Sequence, residues 1–176
     1  MLPTTRPRST VDGGWWSDCR CRPFRRLRSE GWTSSCHCGV PDDLERAVAV
    51  RMARQSVLHS GGHRFAMILE EWALRSRIGT TEMMAGQLGH LLDAATRSSM
   101  SLGVVPMNVE RTMWSSPGFW LFDDERVVLE TPTAELTITQ PREIAVYARV
   151  FAELASMAVY GAEARCLITS AMRVLP

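Results

Sequence analysis

Every periodic apolar pattern in this chain lies beyond residue 40. Upstream of that point Arg, Ser, Thr, Gly and Pro dominate, and the apolar residues recur at neither helical nor alternating spacing. Residues 1–40 therefore present no face on which a core could be built. The same seam divides the charge. Residues 1–40 carry seven Arg against three acids and residues 41–176 thirteen against sixteen, balances of +4 and −3 that sum to the net charge of +1. The fold has to be made from residues 41–176, a length that suits one domain with its own core. Residues 1–40 read as a disordered or mis-annotated tail, with the composition that GC-rich DNA encodes when read from a misplaced start or in a shifted frame.

All 20 basic side chains are Arg. Arg codons are GC-rich and Lys codons are not, so this bias reports base composition before it reports a nucleic-acid partner. The mildly acidic balance of residues 41–176 argues against a broad DNA-binding face. No stretch approaches the roughly 20 apolar residues needed to cross a bilayer. The charged N-terminus also lacks the apolar core of a signal peptide. The expectation is a cytoplasmic protein that makes no membrane contact.

Four of the five Cys fall in the first 40 residues. Cys19-Arg20-Cys21 and Cys36-His37-Cys38 offer thiolates and an imidazole, the ligands zinc prefers. Single-residue spacing, however, makes it hard for both sulfurs of a pair to reach one tetrahedral ion, and structural sites use wider spacings. Unstructured thiols are the favoured reading, with Cys19, Cys21, Cys36 and Cys38 as the metal candidates. No cofactor is expected.

From Pro41 onward the pattern is that of an α+β domain. Asp42, Asp43 and Glu45 precede a four-residue recurrence of Leu44, Val48 and Met52, which predicts a helix over 42–58. Phe65–Leu69 predicts a buried strand and Trp72–Arg75 a short helical or turn segment. Thr80 or Thr81 caps a helix whose stripe is Met84, Leu88, Leu91 and Ala95, with Gly86 and Gly89 inside it. Leu102–Val105 reads as a strand ended by Pro106. Phe119–Phe122 and Arg126–Glu130 flank Asp123-Asp124-Glu125 as a hairpin, and Glu135–Thr139 extends the meander with Leu136 and Ile138 inward. Pro141 opens a helix with the stripe Ile144, Tyr147, Ala148, Phe151, Leu154, Ala155 and Ala158. Gly161 breaks it, and Ala164, Leu167, Ile168, Ala171 and Met172 mark a last helix. The sum is a small, mostly antiparallel sheet with helices packed around it.

Several of these segments, taken in order, resemble one bacterial domain: Arg51-Met52-Ala53-Arg54-Gln55; Leu69-Glu70-Glu71-Trp72-Ala73-Leu74-Arg75; Gly79; Met84-x-x-Gln87-Leu88-x-x-Leu91-Leu92; Val104-Val105-Pro106; Gly118-Phe119; and Val128-x-Glu130. Together they look like the domain of unknown function that follows the helix-turn-helix in Xre-type regulators of high-GC Gram-positive bacteria. The resemblance runs from about Pro41 to Ile168. It implies an antitoxin-like transcriptional regulator that uses a protein partner: itself, a paralogue or a small neighbouring protein. The residues upstream of Pro41 carry no helix-turn-helix pattern, so the expected chain is truncated, with no direct DNA binding of its own. Gly86, Gly89 and Ala164 depart from the family pattern.

Two alternatives stand beside that reading: a stand-alone module binding a toxin-like partner or a full-length paralogue, and a small-molecule enzyme. Arg51, Arg54 and Gln55 suit bidentate pairing with Glu70 or Glu71, a structural use. Glu70 and Glu71 as a catalytic pair would have to converge, whereas neighbours on a strand point to opposite faces. Gly79, Gln87 and Pro106 complete the family signature and are expected to be structural. Trp114, Phe119, Trp120 and Phe122 around Ser115-Ser116-Pro117-Gly118 are the candidate lining of an apolar ligand pocket. No phosphate loop, nucleophile elbow or paired-His metal motif occurs, so the reading favours a non-enzymatic regulatory module.

Overall fold

Parallel pairing sets the architecture, because two adjacent parallel strands cannot be joined by a hairpin and need a crossover. In chain order the elements are β1 (Arg8–Val11), β2 (Phe65–Glu70), α1 (Glu71–Arg75), α2 (Thr81–Ala94), β3 (Met100–Val105), β4 (Phe119–Phe122), β5 (Arg126–Glu130), β6 (Glu135–Ile138), α3 (Pro141–Met157), β7 (Val159–Tyr160) and α4 (Gly161–Arg173). The structure is a computed structural model that describes residues 8–11, 63–76, 79–115, 117–131 and 134–176. β2 and β3 run parallel in register, from Phe65 opposite Met100 to Glu70 opposite Val105, and α1 and α2 form the crossover between them.

The sheet order is β6-β5-β4-β1-β2-β3-β7. Among the described residues only β1–β2 and β2–β3 are parallel, and the other four pairings are antiparallel. The fold is α+β, mostly antiparallel, with helices packed around the sheet. Alternate residues of β2 show its two faces. Met67 and Leu69 join Leu102, Val104, Leu74, Met84, Leu88, Leu91, Ala164 and Ile168 in one core, beneath α1, α2 and α4. Ile68 joins Val105, Phe119, Leu121, Val127, Leu129, Ile144 and Leu154 in the other, beneath α3.

Most local signals resolve as the sequence predicts. Thr80 caps α2, its hydroxyl oxygen accepting from the Met83 N–H at 3.4 Å. Pro141 occupies the first turn of α3. The hairpin turns through Asp123 at φ 51°, where Asp tolerates the left-handed region better than most residues. Other expectations need correcting. Leu136, expected inward, is 50% exposed because β6 is the outermost strand. Ala148 likewise faces solvent. β7, too short to show a period, pairs with β3 at the opposite edge. Four residues within the segment expected to be disordered, Arg8–Val11, form a strand. β2 and β4 supply ladder partners on both sides of it, so backbone pairing suffices without an apolar pattern. The rest of residues 1–40 and the helix expected over 42–58 lie outside the described residues.

Gly86 and Gly89 lie inside α2, and a Cβ built on either meets no atom within 4 Å. Gly costs conformational entropy in a helix that Ala does not. Gly86→Ala and Gly89→Ala should each raise the unfolding free energy by about 0.5–1 kcal/mol, read as a higher urea midpoint at unchanged slope. A lower midpoint would mean the open space around these positions is needed.

Candidate functional site

β2 ends and α1 begins between two adjacent carboxylates, and both are held by arginine. Glu71, the first residue of α1, is only 6% exposed. Its Oε1 accepts from Arg75 Nε at 2.9 Å and Nη2 at 2.7 Å, one helical turn on. Its Oε2 accepts from the Met107 backbone N–H at 2.9 Å. The parallel register explains the second contact. Glu70 pairs with Val105, so the chain leaving β3 through Pro106 passes the start of α1.

Glu70 fastens the same connection farther along. Its Oε1 accepts from Arg111 Nη2 at 2.8 Å and Ser115 Oγ at 3.0 Å, and its Oε2 from Arg111 Nη1 at 2.9 Å. This is the two-pronged geometry a guanidinium offers a carboxylate. Arg111 Nε donates in turn to the Met113 carbonyl at 2.8 Å, and the Thr112 hydroxyl donates to Glu153 Oε2 on α3 at 3.2 Å. Val109 and Met113 tuck against the core beneath α3. The connection is thus pinned at both ends, yet it leaves Met107 63% and Trp114 83% exposed. Trp72 on α1 is exposed as well.

The electrostatics agree with a structural use of these charges. Burial pushes the Glu71 carboxyl up, but the Met107 N–H and the Arg75 guanidinium together outweigh it and hold the group below its ordinary value. Hydrogen bonding to Glu70 raises Arg111, which keeps the guanidinium charged.

The other candidates do not gather here. Phe119 lies in the core beneath α3, Trp120 packs against the core on the opposite face, and Trp114 stands in solvent. Phe122, two residues along β4 from Trp120, receives the Arg126 guanidinium 4.4 Å from its ring centre. These four residues do not line one pocket, because successive residues of β4 face opposite layers. Gly79 adopts φ 83° just before α2, a conformation that requires glycine. Pro106 ends β3 and its carbonyl accepts from the Val109 N–H. Gln87 is 2% exposed, and neither amide atom has a hydrogen-bond partner among the described residues. Arg51, Arg54, Gln55, Cys19, Cys21, Cys36 and Cys38 lie outside the described residues. Among the described residues no three His, Cys, Asp or Glu cluster as a metal site.

The arginines described at these carboxylates are ones the sequence reading did not single out as their partners. Among the described residues the partners of Glu70 and Glu71 are Arg111 and Arg75; the expected pairing with Arg51, Arg54 and Gln55 lies outside the described residues. The four-residue spacing of Glu71 and Arg75 was a readable signal; nothing local linked Glu70 to Arg111, 41 residues away.

The family model described as Domain of unknown function (DUF5753) matches residues 30–170, and the chain belongs to that family. Neither a curated protein nor a solved structure matches it.

A carboxylate with a lowered value stabilises the fold fully above the ordinary carboxylate range, from about pH 5 upward. That contribution is lost as pH falls through the lowered value. Glu71→Gln should therefore lower stability at pH 7 by about 1–3 kcal/mol and flatten its fall in acid. A variant with unchanged acid dependence would show that Glu71 is not the group responsible.

Proposed function

We propose that this member of the family is a non-enzymatic regulatory module that receives a protein partner. In this reading it is similar to the domain that follows the helix-turn-helix in Xre-type, antitoxin-like transcriptional regulators, and it makes no direct contact with DNA. One observation supports the reading above others. The β3–β4 connection is pinned by two arginine-paired carboxylates while it holds Met107 and Trp114 in water. A rigid loop bearing large exposed apolar side chains, rimmed by polar groups, is the composition of an interface centre.

The enzymatic alternative finds less support. A general base needs a free acceptor within reach of substrate, and the acceptors of Glu70 and Glu71 face Arg111, Ser115, Arg75 and Met107. The stand-alone reading, in which a small toxin-like protein or a full-length paralogue is bound, uses the same surface and differs only in the identity of the partner.

Titration of the full chain with a small toxin-like protein, with a full-length paralogue and with itself tests the proposal. One of the three should bind, and Trp114→Ala should weaken that binding by about tenfold or more, as an interface centre requires. The wild-type chain should leave promoter DNA unshifted at physiological salt. Unchanged affinity in the Trp114 variant, or a discrete DNA shift by this chain alone, would overturn the reading.

A further inference from the structure

The centre of the sheet is filled by a strand from outside the family domain. β1 covers Arg8–Val11, whereas the family match begins at residue 30. Without β1 the sheet order falls into two three-stranded pieces, β6-β5-β4 and β2-β3-β7. α3 spans them, since one core beneath it contains Ile68 and Val105 from one piece and Phe119, Leu121, Val127 and Leu129 from the other. With β1 between them the two edges stand two inter-strand spacings apart, about 10 Å, the β2 edge pairing parallel and the β4 edge antiparallel.

The residues flanking this slot are apolar on both faces. At its successive registers stand Ala66 and Leu121, Met67 and Trp120, and Ile68 and Phe119, and Met67, Ile68, Phe119 and Leu121 are buried. A strand covered on both faces calls for a near-continuous run of Val, Ile and Leu. The occupant here reads Arg-Ser-Thr-Val, with one aliphatic residue in four. Local sequence and position conflict, which marks a poorly specified pairing. Beside its two backbone ladders, tethering favours the strand: 53 residues separate Val11 from Phe65, and a linked segment enjoys a high effective concentration.

We propose that the slot between β2 and β4 is a strand-acceptor site for an extended segment of a partner protein, a run of four or more β-branched apolar residues without proline, which displaces Arg8–Val11. Backbone hydrogen bonds to both edges supply affinity and the apolar flanks supply selection, the logic of strand addition applied to an internal position. The site is distinct from the Met107–Trp114 surface, so either proposal can fail alone.

Amide hydrogen exchange of the full chain provides the test. The probes are synthetic eight-residue peptides carrying the sequence of residues 6–13, the same sequence with Arg8→Val, Ser9→Val and Thr10→Ile, and the same sequence with Thr10→Pro. The Val/Ile peptide should slow exchange within 65–70 and 119–122 and bind about tenfold more tightly than the peptide of native sequence. The proline peptide should do neither. In the full chain, Thr10→Pro weakens the native strand and should tighten Val/Ile peptide binding by about tenfold; if that variant does not fold, the wild-type measurement decides alone. No protection of β2 and β4 by any peptide, equal binding of the native-sequence peptide, or equal binding of the proline peptide would overturn the proposal.

Discussion

Two adjacent carboxylates at the end of β2 organise this end of the molecule. Glu71 turns back on its own helix to Arg75 and reaches forward to the Met107 N–H, while Glu70 grips Arg111 and Ser115. The geometry follows from the parallel pairing of β2 and β3, which delivers Glu70 and Val105 side by side. Val109, Met113 and one bond from Thr112 to α3 also hold the β3–β4 connection. Charged groups that are paired and hydrogen-bonded hold a register well and perform proton transfer poorly. The same arrangement that makes the site rigid therefore weighs against its use as acid or base.

The fold was legible wherever one segment carried its own periodicity. The stripes Met84, Leu88, Leu91 and Ile144, Phe151, Leu154 mark helices that need only one apolar face, and the Asp123-Asp124-Glu125 turn marks a hairpin between two apolar runs. Illegible elements depend on partners far away in sequence. β7 is two residues long and exists because the β3 edge accepts it. β1 has no apolar pattern and exists because two edges flank it. Leu136 alternates correctly but belongs to the outermost strand, where alternation no longer guarantees burial.

The candidate site divides in the same way. Gly79, Pro106 and the Glu71–Arg75 pair have local causes: a positive φ, a strand end and one helical turn. Arg111, Ser115 and the Met107 N–H are brought in by topology, and no local spacing announces them. The aromatic group around the Ser115–Gly118 turn looked like one cluster in sequence, yet the strand period sends Phe119 and Trp120 to opposite layers. Proximity along a strand is not convergence.

Membership of a family known only as a domain of unknown function leaves the chemistry of the fold as the guide to its role. The proposed contact with a protein partner rests on the pinned loop that leaves Met107 and Trp114 exposed. Tryptic cleavage after Arg111 in the native state tests the anchoring on which this account rests, since cleavage of a folded chain follows local opening. The account predicts that Glu70→Gln combined with Glu71→Gln speeds cleavage at Arg111 about tenfold or more relative to sites in α3 and α4. An unchanged rate at Arg111 would show that the carboxylates do not hold the connection.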